Sequence, residues 1–250
     1  MSKPLIFCPM QVKDFTFKIP QENILYDELL LQLADKHGHG EVLRFWESSE
    51  IFIVLGMIGN EHEDIWLERT KEDNIPVLRR TSGGGTVVQG PGCLNYTLVL
   101  EKQRHLDLND LRKSYSWISS RVIDALKECG VEAIFRPISD IALASGEKKI
   151  SGTAQHRGKN FILHHGTILC DFNLNLIGRY LKMPKDIPDY RKNRPHEDFV
   201  TNIHVAPKPF KQALGNVFGL NTATVLQSPS PQEVLALREL LQKRQVVVGA

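Results

Sequence analysis

Residues 79–96 read RRTSGGGTVVQGPGCLNY, and three consecutive glycines after two arginines are the stretch where residue type most directly suggests chemistry. Such glycines bring nothing to a core and cost backbone entropy, so their use lies in positive-φ conformations or in letting a ligand lie against the main chain. Successive free N–H groups in such a loop form a nest for phosphate or carboxylate oxygens, and Arg79 and Arg80 predict charge-assisted, bidentate contacts to the same anion. The spacing is neither that of a Walker loop, GxxxxGK[ST], nor that of a dinucleotide fingerprint, GxGxxG. On the glycine triplet alone, a hairpin loop flanked by surface arginines is an equal reading.

A second segment, residues 136–169, reads RPISDIALASGEKKISGTAQHRGKNFILHHGTIL. Asp140 precedes a strand-like run, Lys149 follows a turn directly before ISG, and HHGT lies in the next apolar run, so a hairpin would set KISG beside HHGT. The small neighbours Ser151, Gly152, Thr153 and Ala154 leave room for a substrate beside Lys149, whose ammonium could stabilise charge growing on a carbonyl or phosphoryl oxygen. His164 and His165 point to opposite faces of a strand, so at most one of them meets a given pocket.

Cys8, Cys93, Cys129 and Cys170 form no CxxC pair and are too sparse for a disulfide scaffold, which predicts free thiols. Cys93 borders the glycine loop and Cys170 ends the HHGTILC run, so both stand as candidate nucleophiles. His37 and His39 form an HxH pair with no Cys, Asp or Glu cluster beside it to complete a metal site, which favours a solvated turn.

The elements that must hold these residues follow from periodicity. Residues 22–34 carry Ile24, Leu25, Leu29 and Leu33 at helical spacing, broken by GHG at 38–40, and residues 108–129 carry a longer helix ended by Gly130. IFIVLG (51–56), LNYTLVL (94–100), VEAIFR (131–136), DIALAS (140–145) and NFILHHGTILCDF (160–172) read as strands, LNYTLVL with Asn95 and Thr97 on one face and Tyr96 and Leu98 on the other. SPQE (230–233) predicts a capping box that opens a last helix. Residues 183–196 are polar and proline-rich and read as an ordered surface segment. This order lacks the regular βαβα alternation of a doubly wound fold and predicts a mixed α/β (α+β) domain.

The formal charge of +2 excludes a polyanion binder that works by bulk charge, so nucleic acid is not an expected partner. No window approaches the ~18 consecutive apolar residues of a membrane span, and the stretch MSKPLIFCPMQVKDF is interrupted too soon for a secretory signal, so a cytoplasmic protein is expected.

RRTSGGGTV, then SDIALASGEKKISGTAQ, then HHGTIL, in that order, resemble the catalytic domain of the lipoate-protein ligase A family, within the biotin/lipoate ligase superfamily. The resemblance runs over about residues 22–201 and takes in RFWESSEIFIVLG (44–56) and PDYRKNRPHEDFVTN (188–202). It implies a mixed, largely antiparallel sheet flanked by helices, like that of biotin ligases and class II synthetases. It also implies a two-step reaction, in which lipoate and ATP give lipoyl-AMP and pyrophosphate and a lysine of a lipoyl-carrier domain then attacks the adenylate.

By the same resemblance, Lys149 is the catalytic lysine on the acyl carbonyl and α-phosphate, and Ser151 and Gly152 follow it. Arg80 with Ser82, Gly83, Gly84, Gly85, Thr86, Val87 and Val88 is the nucleotide-phosphate and lipoyl-binding stretch. Asp140 stands beside the nucleotide and Mg²⁺, His165, Gly166 and Thr167 wall the acyl-adenylate pocket, and Trp46 is an aromatic at its mouth. The implied partners are the glycine-cleavage H protein or a 2-oxoacid dehydrogenase E2 domain.

The chain departs from the family pattern where Gln89, Gly90 and Cys93 replace His, Asp and Asn, and where Ser139 precedes Asp140. Two alternatives stand beside the ligase: an ATP-independent lipoyl- or octanoyltransferase, and a non-catalytic binder of carrier proteins. Only about fifty residues follow Asn202, which predicts one catalytic domain without the small accessory domain of full ligases, that piece being supplied, if at all, by a separate protein.

Overall fold

The computed structural model describes residues 10–220, 226–244 and 247–248; Cys8 and most of the stretch read for a leader lie outside them. Among the described residues ten strands are formed: β1 (Gln11–Asp14), β2 (Val42–Trp46), β3 (Phe52–Leu55), β4 (Val77–Arg79), β5 (Val87–Gln89), β6 (Cys93–Glu101), β7 (Ala133–Arg136), β8 (Asp140–Leu143), β9 (Lys149–Arg157) and β10 (Phe161–Leu169). The helices are α1 (Pro20–His37), α2 (Glu61–Asp64), α3 (Leu67–Glu72), α4 (Leu111–Glu128), α5 (Asn175–Tyr180), α6 (His196–Phe199), α7 (Pro207–Val217) and α8 (Pro231–Lys243).

Seven strands form one sheet in the order β1-β2-β6-β10-β9-β8-β7, and β4-β3-β5 form a smaller second sheet. Within the large sheet only β1 and β2 run parallel. The architecture is therefore the mixed, mostly antiparallel α+β arrangement expected from the element order.

The two faces of the large sheet are chemically unlike because side chains alternate along a strand. One face carries Phe45, Tyr96, Leu98, Ile150 and Ile168, which pack under α4 and α7 through Ile118, Val122, Phe210 and Leu214. Of two adjacent histidines in β10, His164 goes to this side, stacked on Tyr96, and burial pushes its imidazole down to about 3, so it stays neutral. The opposite face carries the polar residues between them and is covered by α1 and the small sheet.

Helix ends follow the sequence signals. Gly38 (φ 65°) closes α1 and Gly130 (φ 80°) follows α4 in left-handed conformations that glycine adopts without a Cβ clash. Ser230 and Glu233 form the predicted capping box, and Glu233 also reaches Lys13 of β1 at 3.1 Å in a buried ion pair that fastens α8 to the sheet edge. No helix among the described residues is long and apolar enough to cross a membrane.

Candidate active site

Strand register builds the floor of the cavity. Trp46 pairs with Asn95, Asn95 with Thr167, Thr167 with Gly152, and Gly152 with Asp140, giving one row across β2, β6, β10, β9 and β8. A second row two residues along joins Arg44, Thr97, His165 and Ala154. Four strand spacings of about 4.8 Å make the first row roughly 19 Å long, with Trp46 at one end and Asp140 at the other. The roof is Val54, Arg80, Gly85, Thr86, Val87 and Gln89, from the small sheet and the glycine loop.

At the Asp140 end, Lys149 Nζ lies 2.7 Å from Asp140 Oδ1. A Cβ on Gly152 would stand 3.1 Å from both Cε and Nζ of Lys149, so the bare glycine is what allows the lysine to fold back across β9. The Tyr190 hydroxyl donates to Asp140 Oδ2 at 2.7 Å. Tyr190 comes from the proline-rich surface segment; the family resemblance takes in that stretch but assigns Tyr190 no role.

The glycine loop is held from inside by Arg80. Its Nη2 donates to the carbonyls of Gly83 (2.6 Å) and Gly85 (2.8 Å), its Nη1 to Val54 (3.3 Å), and its Nε to Ser82 Oγ (2.9 Å). Burial pulls this guanidinium down to about 10, which leaves it charged at neutral pH. Arg79 is likewise committed, to the carbonyls of Gly56 (3.1 Å) and Gly59 (2.6 Å) and to Glu61 (3.4 Å). Arg80 thus shapes the glycine loop from inside and Arg79 ties β4 to the turn after β3, so both commit donors to protein carbonyls where the sequence predicted contacts to an anion.

The loop's N–H groups remain for that task. Among the described residues no protein acceptor takes the main-chain N–H of Gly83, Gly84, Gly85 or Thr86. Gly84 has φ +84°, and its carbonyl packs so closely on Gly56 that any Cβ at Gly56 would collide with it. Gly83 and Gly85 have open space where a Cβ would stand, room that a ligand can use. The Thr86 hydroxyl donates to Asp64 Oδ2 at 2.6 Å and fixes the loop's exit.

Between α1 and the floor lies a buried polar network the sequence did not announce. Asp27 of α1 accepts from Arg44 Nη1 (2.5 Å) and from the Thr97 hydroxyl (2.8 Å), and His165 Nδ1 stands 3.8 Å away. His165 Nε2 is 2.6 Å from Ser82 Oγ, so the network runs from α1 through β10 to the glycine loop. Burial is the strongest influence on Asp27 and raises it, but Arg44 and the His165 imidazole together hold its carboxyl below the ordinary range. Further along the floor, Gln89 Nε2 donates to the Thr167 hydroxyl (2.7 Å), that hydroxyl to Asn95 Oδ1 (2.6 Å), and Asn95 Nδ2 to Gln89 Oε1 (3.0 Å), a closed ring between roof and floor.

The cavity brings together Trp46, Arg80, Gly85, Thr86, Val87, Asp140, Lys149, Gly152, His165, Gly166 and Thr167 from the sequence-predicted set. Trp46 is 3% exposed and belongs to the inner, apolar end with Ile24, Val54 and Val87, not to the mouth. Ser151 and Val88 alternate to the opposite faces of their strands and do not line it, Ser82 is buried against His165, and Gly83 and Gly84 are not among the lining residues, although Gly84 faces Ala154 of the floor. Gly166 has a packing role as well, since a Cβ there would come within 2.5 Å of the Tyr96 hydroxyl oxygen.

None of the three described cysteines lines the cavity. Burial pushes the Cys170 thiol up to about 11 and the Cys93 thiol higher still, so neither is a ready thiolate. Among the described residues no group of three or more His, Cys, Asp or Glu gathers as a metal cage.

Comparison with known proteins agrees with this geometry. Residues 19–218 match the family model of the lipoyl protein ligase A/B catalytic domain. The lipoate-protein ligase LplJ of Bacillus subtilis is 34% identical over 167 residues, which cover 67% of this chain and 47% of that one. The chain spans about half the length of curated relatives such as this one. Two solved structures share the fold at 22% identity, each covering 94% of both chains: one from the bipartite lipoate protein ligase of Thermoplasma acidophilum (TM-score 0.78) and a lipoate-protein ligase A bound with ATP (TM-score 0.77). With four-fifths of its length inside that model and the glycine loop, lysine strand and HGT strand meeting at one cavity, the chain belongs to the lipoyl protein ligase A/B catalytic domain family.

Proposed function

We propose that this chain activates lipoate, or octanoate as a related medium-chain acid, with ATP to an acyl-AMP, and passes the acyl group to a lysine of a lipoyl-carrier domain. A free carboxylate is a poor acyl donor, and adenylation supplies the leaving group; the second step then needs positioning and stabilisation of the carbonyl oxygen. The observation that carries the reading is one cavity with a lysine ammonium and an unpartnered N–H loop toward one end and an apolar recess of Ile24, Trp46, Val54 and Val87 at the other. An amphipathic acid with a charged head and an alkyl tail matches that polarity. The names of the relatives and the ATP-bound neighbour support the same substrates. The absence of a cysteine among the described cavity residues disfavours transfer through a thioester.

Asp140 is the carboxylate beside Lys149, and both its oxygens already accept hydrogen bonds, so the chain fits a magnesium ion only as one carboxylate ligand to an ion carried by the nucleotide phosphates. Such an ion, when bound, neutralises phosphate charge. The proposed acceptor is an E2 lipoyl domain or an H protein, and the bipartite Thermoplasma acidophilum ligase makes a separate accessory chain a reasonable second partner.

The direct test incubates purified protein with lipoate and ATP, follows pyrophosphate release, and then adds each apo-carrier. Lipoate-dependent pyrophosphate supports the ligase, whereas acyl transfer that ignores ATP replaces it with a transferase. Gly85→Ala gives a sharper local check. Open space around Gly85 predicts unchanged thermal stability, while the new methyl intrudes on bound nucleotide and weakens ATP binding by about 5- to 100-fold, the equivalent of overpacking a filled site. Calorimetric titration reads this, and undiminished ATP affinity would remove the loop from the binding site.

A further inference from the structure

Lys149 cannot serve a reacting carbonyl or phosphate while its ammonium lies on Asp140, 2.7 Å away. Moving it off leaves behind a carboxylate on a side chain only 10% exposed with the lysine in place, and a buried carboxylate stripped of donors is costly enough to hold the lysine where it is. Asp140 has a second donor on its other oxygen, the Tyr190 hydroxyl at 2.7 Å. A phenol hydroxyl carries one proton to donate, and here that proton is directed at Asp140.

Tyr190 is itself held in place. Its ring packs against Phe199 with centroids 5.2 Å apart, and the Arg136 guanidinium sits 5.6 Å above it. Arg194 Nη2 donates both to the Tyr190 carbonyl (2.9 Å) and to the Glu147 carbonyl (3.1 Å) in the turn that leads into Lys149. On the other side Thr201 N–H donates to the Lys149 carbonyl at 3.0 Å, and Val200 bridges to Lys149 in strand fashion. Residues 189–201 therefore form a strap fastened on both sides of the lysine.

We infer that Tyr190 is a positioning residue for the proposed reaction, its hydroxyl keeping Asp140 hydrogen-bonded while Lys149 swings from Asp140 to the acyl carbonyl and phosphate oxygens. The inference rests on the reading of Lys149 given under the proposed function. It assigns the strap a part in the chemistry, and it separates two jobs at Asp140: one oxygen parks the lysine, the other keeps the carboxylate satisfied after the lysine has left.

Tyr190→Phe keeps the ring packing and removes only the hydroxyl, so the variant folds, with melting lowered by no more than the loss of one hydrogen bond. Its kcat for acyl-AMP formation falls about 10- to 100-fold, the loss expected for one hydrogen bond to a charged group, while KM for lipoate and for ATP stays within about twofold. Crystals soaked with a stable acyl-sulfamoyl-adenosine mimic supply a readout that needs no turnover. In the wild-type complex Lys149 contacts the mimic and Tyr190 stays on Asp140; in the variant complex Lys149 stays on Asp140. A wild-type kcat in the variant, a change confined to KM, or a wild-type complex in which Tyr190 has left Asp140 would overturn the inference alone. Wild-type protein that neither binds the mimic nor releases pyrophosphate overturns the function reading beneath it.

Discussion

Replacing Lys149 with alanine is expected to lower acyl-adenylate turnover by about 10²–10³-fold, the usual consequence of deleting one preorganised donor aimed at developing charge. Among the described residues that line the cavity, Lys149 is the flexible cation: Arg80 has its donors on the glycine-loop carbonyls, and Arg44 nearby is locked to Asp27. The fold should survive, because the Lys149 side chain is partly exposed and Asp140 keeps the Tyr190 hydroxyl when the lysine is gone. Lys149→Arg should not rescue, since a rigid planar fork cannot trace the path that Gly152 opens for a slender ammonium. Pyrophosphate release under saturating lipoate and ATP measures the effect, with thermal melting as the control. Near wild-type turnover in Lys149→Ala would end the proposal that this lysine carries the chemistry.

The second large effect is on stability and lies in the buried network between α1 and the cavity floor. Arg44→Ala should destabilise the protein by about 3–5 kcal/mol, because it strands Asp27 as an uncompensated buried charge. Arg44 is wholly buried; besides Asp27 it donates to the Asn23 carbonyl (2.9 Å) and side chain (2.8 Å), and its guanidinium lies 4.8 Å from the Tyr26 ring centroid.

The pH dependence follows in sign. In the wild type the depressed Asp27 carboxyl contributes stability that is fully present above its unfolded value near 3.9 and is lost as pH falls through the folded value, so this contribution is flat from mildly acidic to neutral pH. Without Arg44, burial dominates and the folded value rises above the unfolded one. The variant then loses stability as pH climbs from about 4 through that raised value. Denaturant melts of both proteins at about pH 5 and about pH 8 decide it: the deficit of Arg44→Ala should be larger at the higher pH, and an equal deficit at both would contradict the account.

Much of the fold was legible because burial enforces period. The alternation in 94–100 placed Asn95 and Thr97 opposite Tyr96 and Leu98, and β6 does set the first pair into the cavity and the second into the core. The opposite facing of His164 and His165 follows from the same two-residue repeat. Short strands without strong alternation, such as β1, β4 and β5, left little trace, since their pairing depends on partners far along the chain. The motif residues around Lys149 and the glycine loop were legible as a family resemblance.

The sequence by itself determined the family, the mixed α+β class, and the lysine and glycine loop at its centre, because residue type and local spacing carry those. Only the tertiary structure decided who does what around them. Asp27 looked like one more residue of an amphipathic helix until α1 packed on the cavity face of the sheet and set it beside His165 and against Arg44. Tyr190 stood in a polar surface segment until the strap closed over Asp140. Arg80 read as an anion clamp until burial turned its guanidinium onto the loop carbonyls. In each case the deciding partner lies far away in the chain, and a buried charge or donor takes its role from whichever group the fold sets within hydrogen-bond reach.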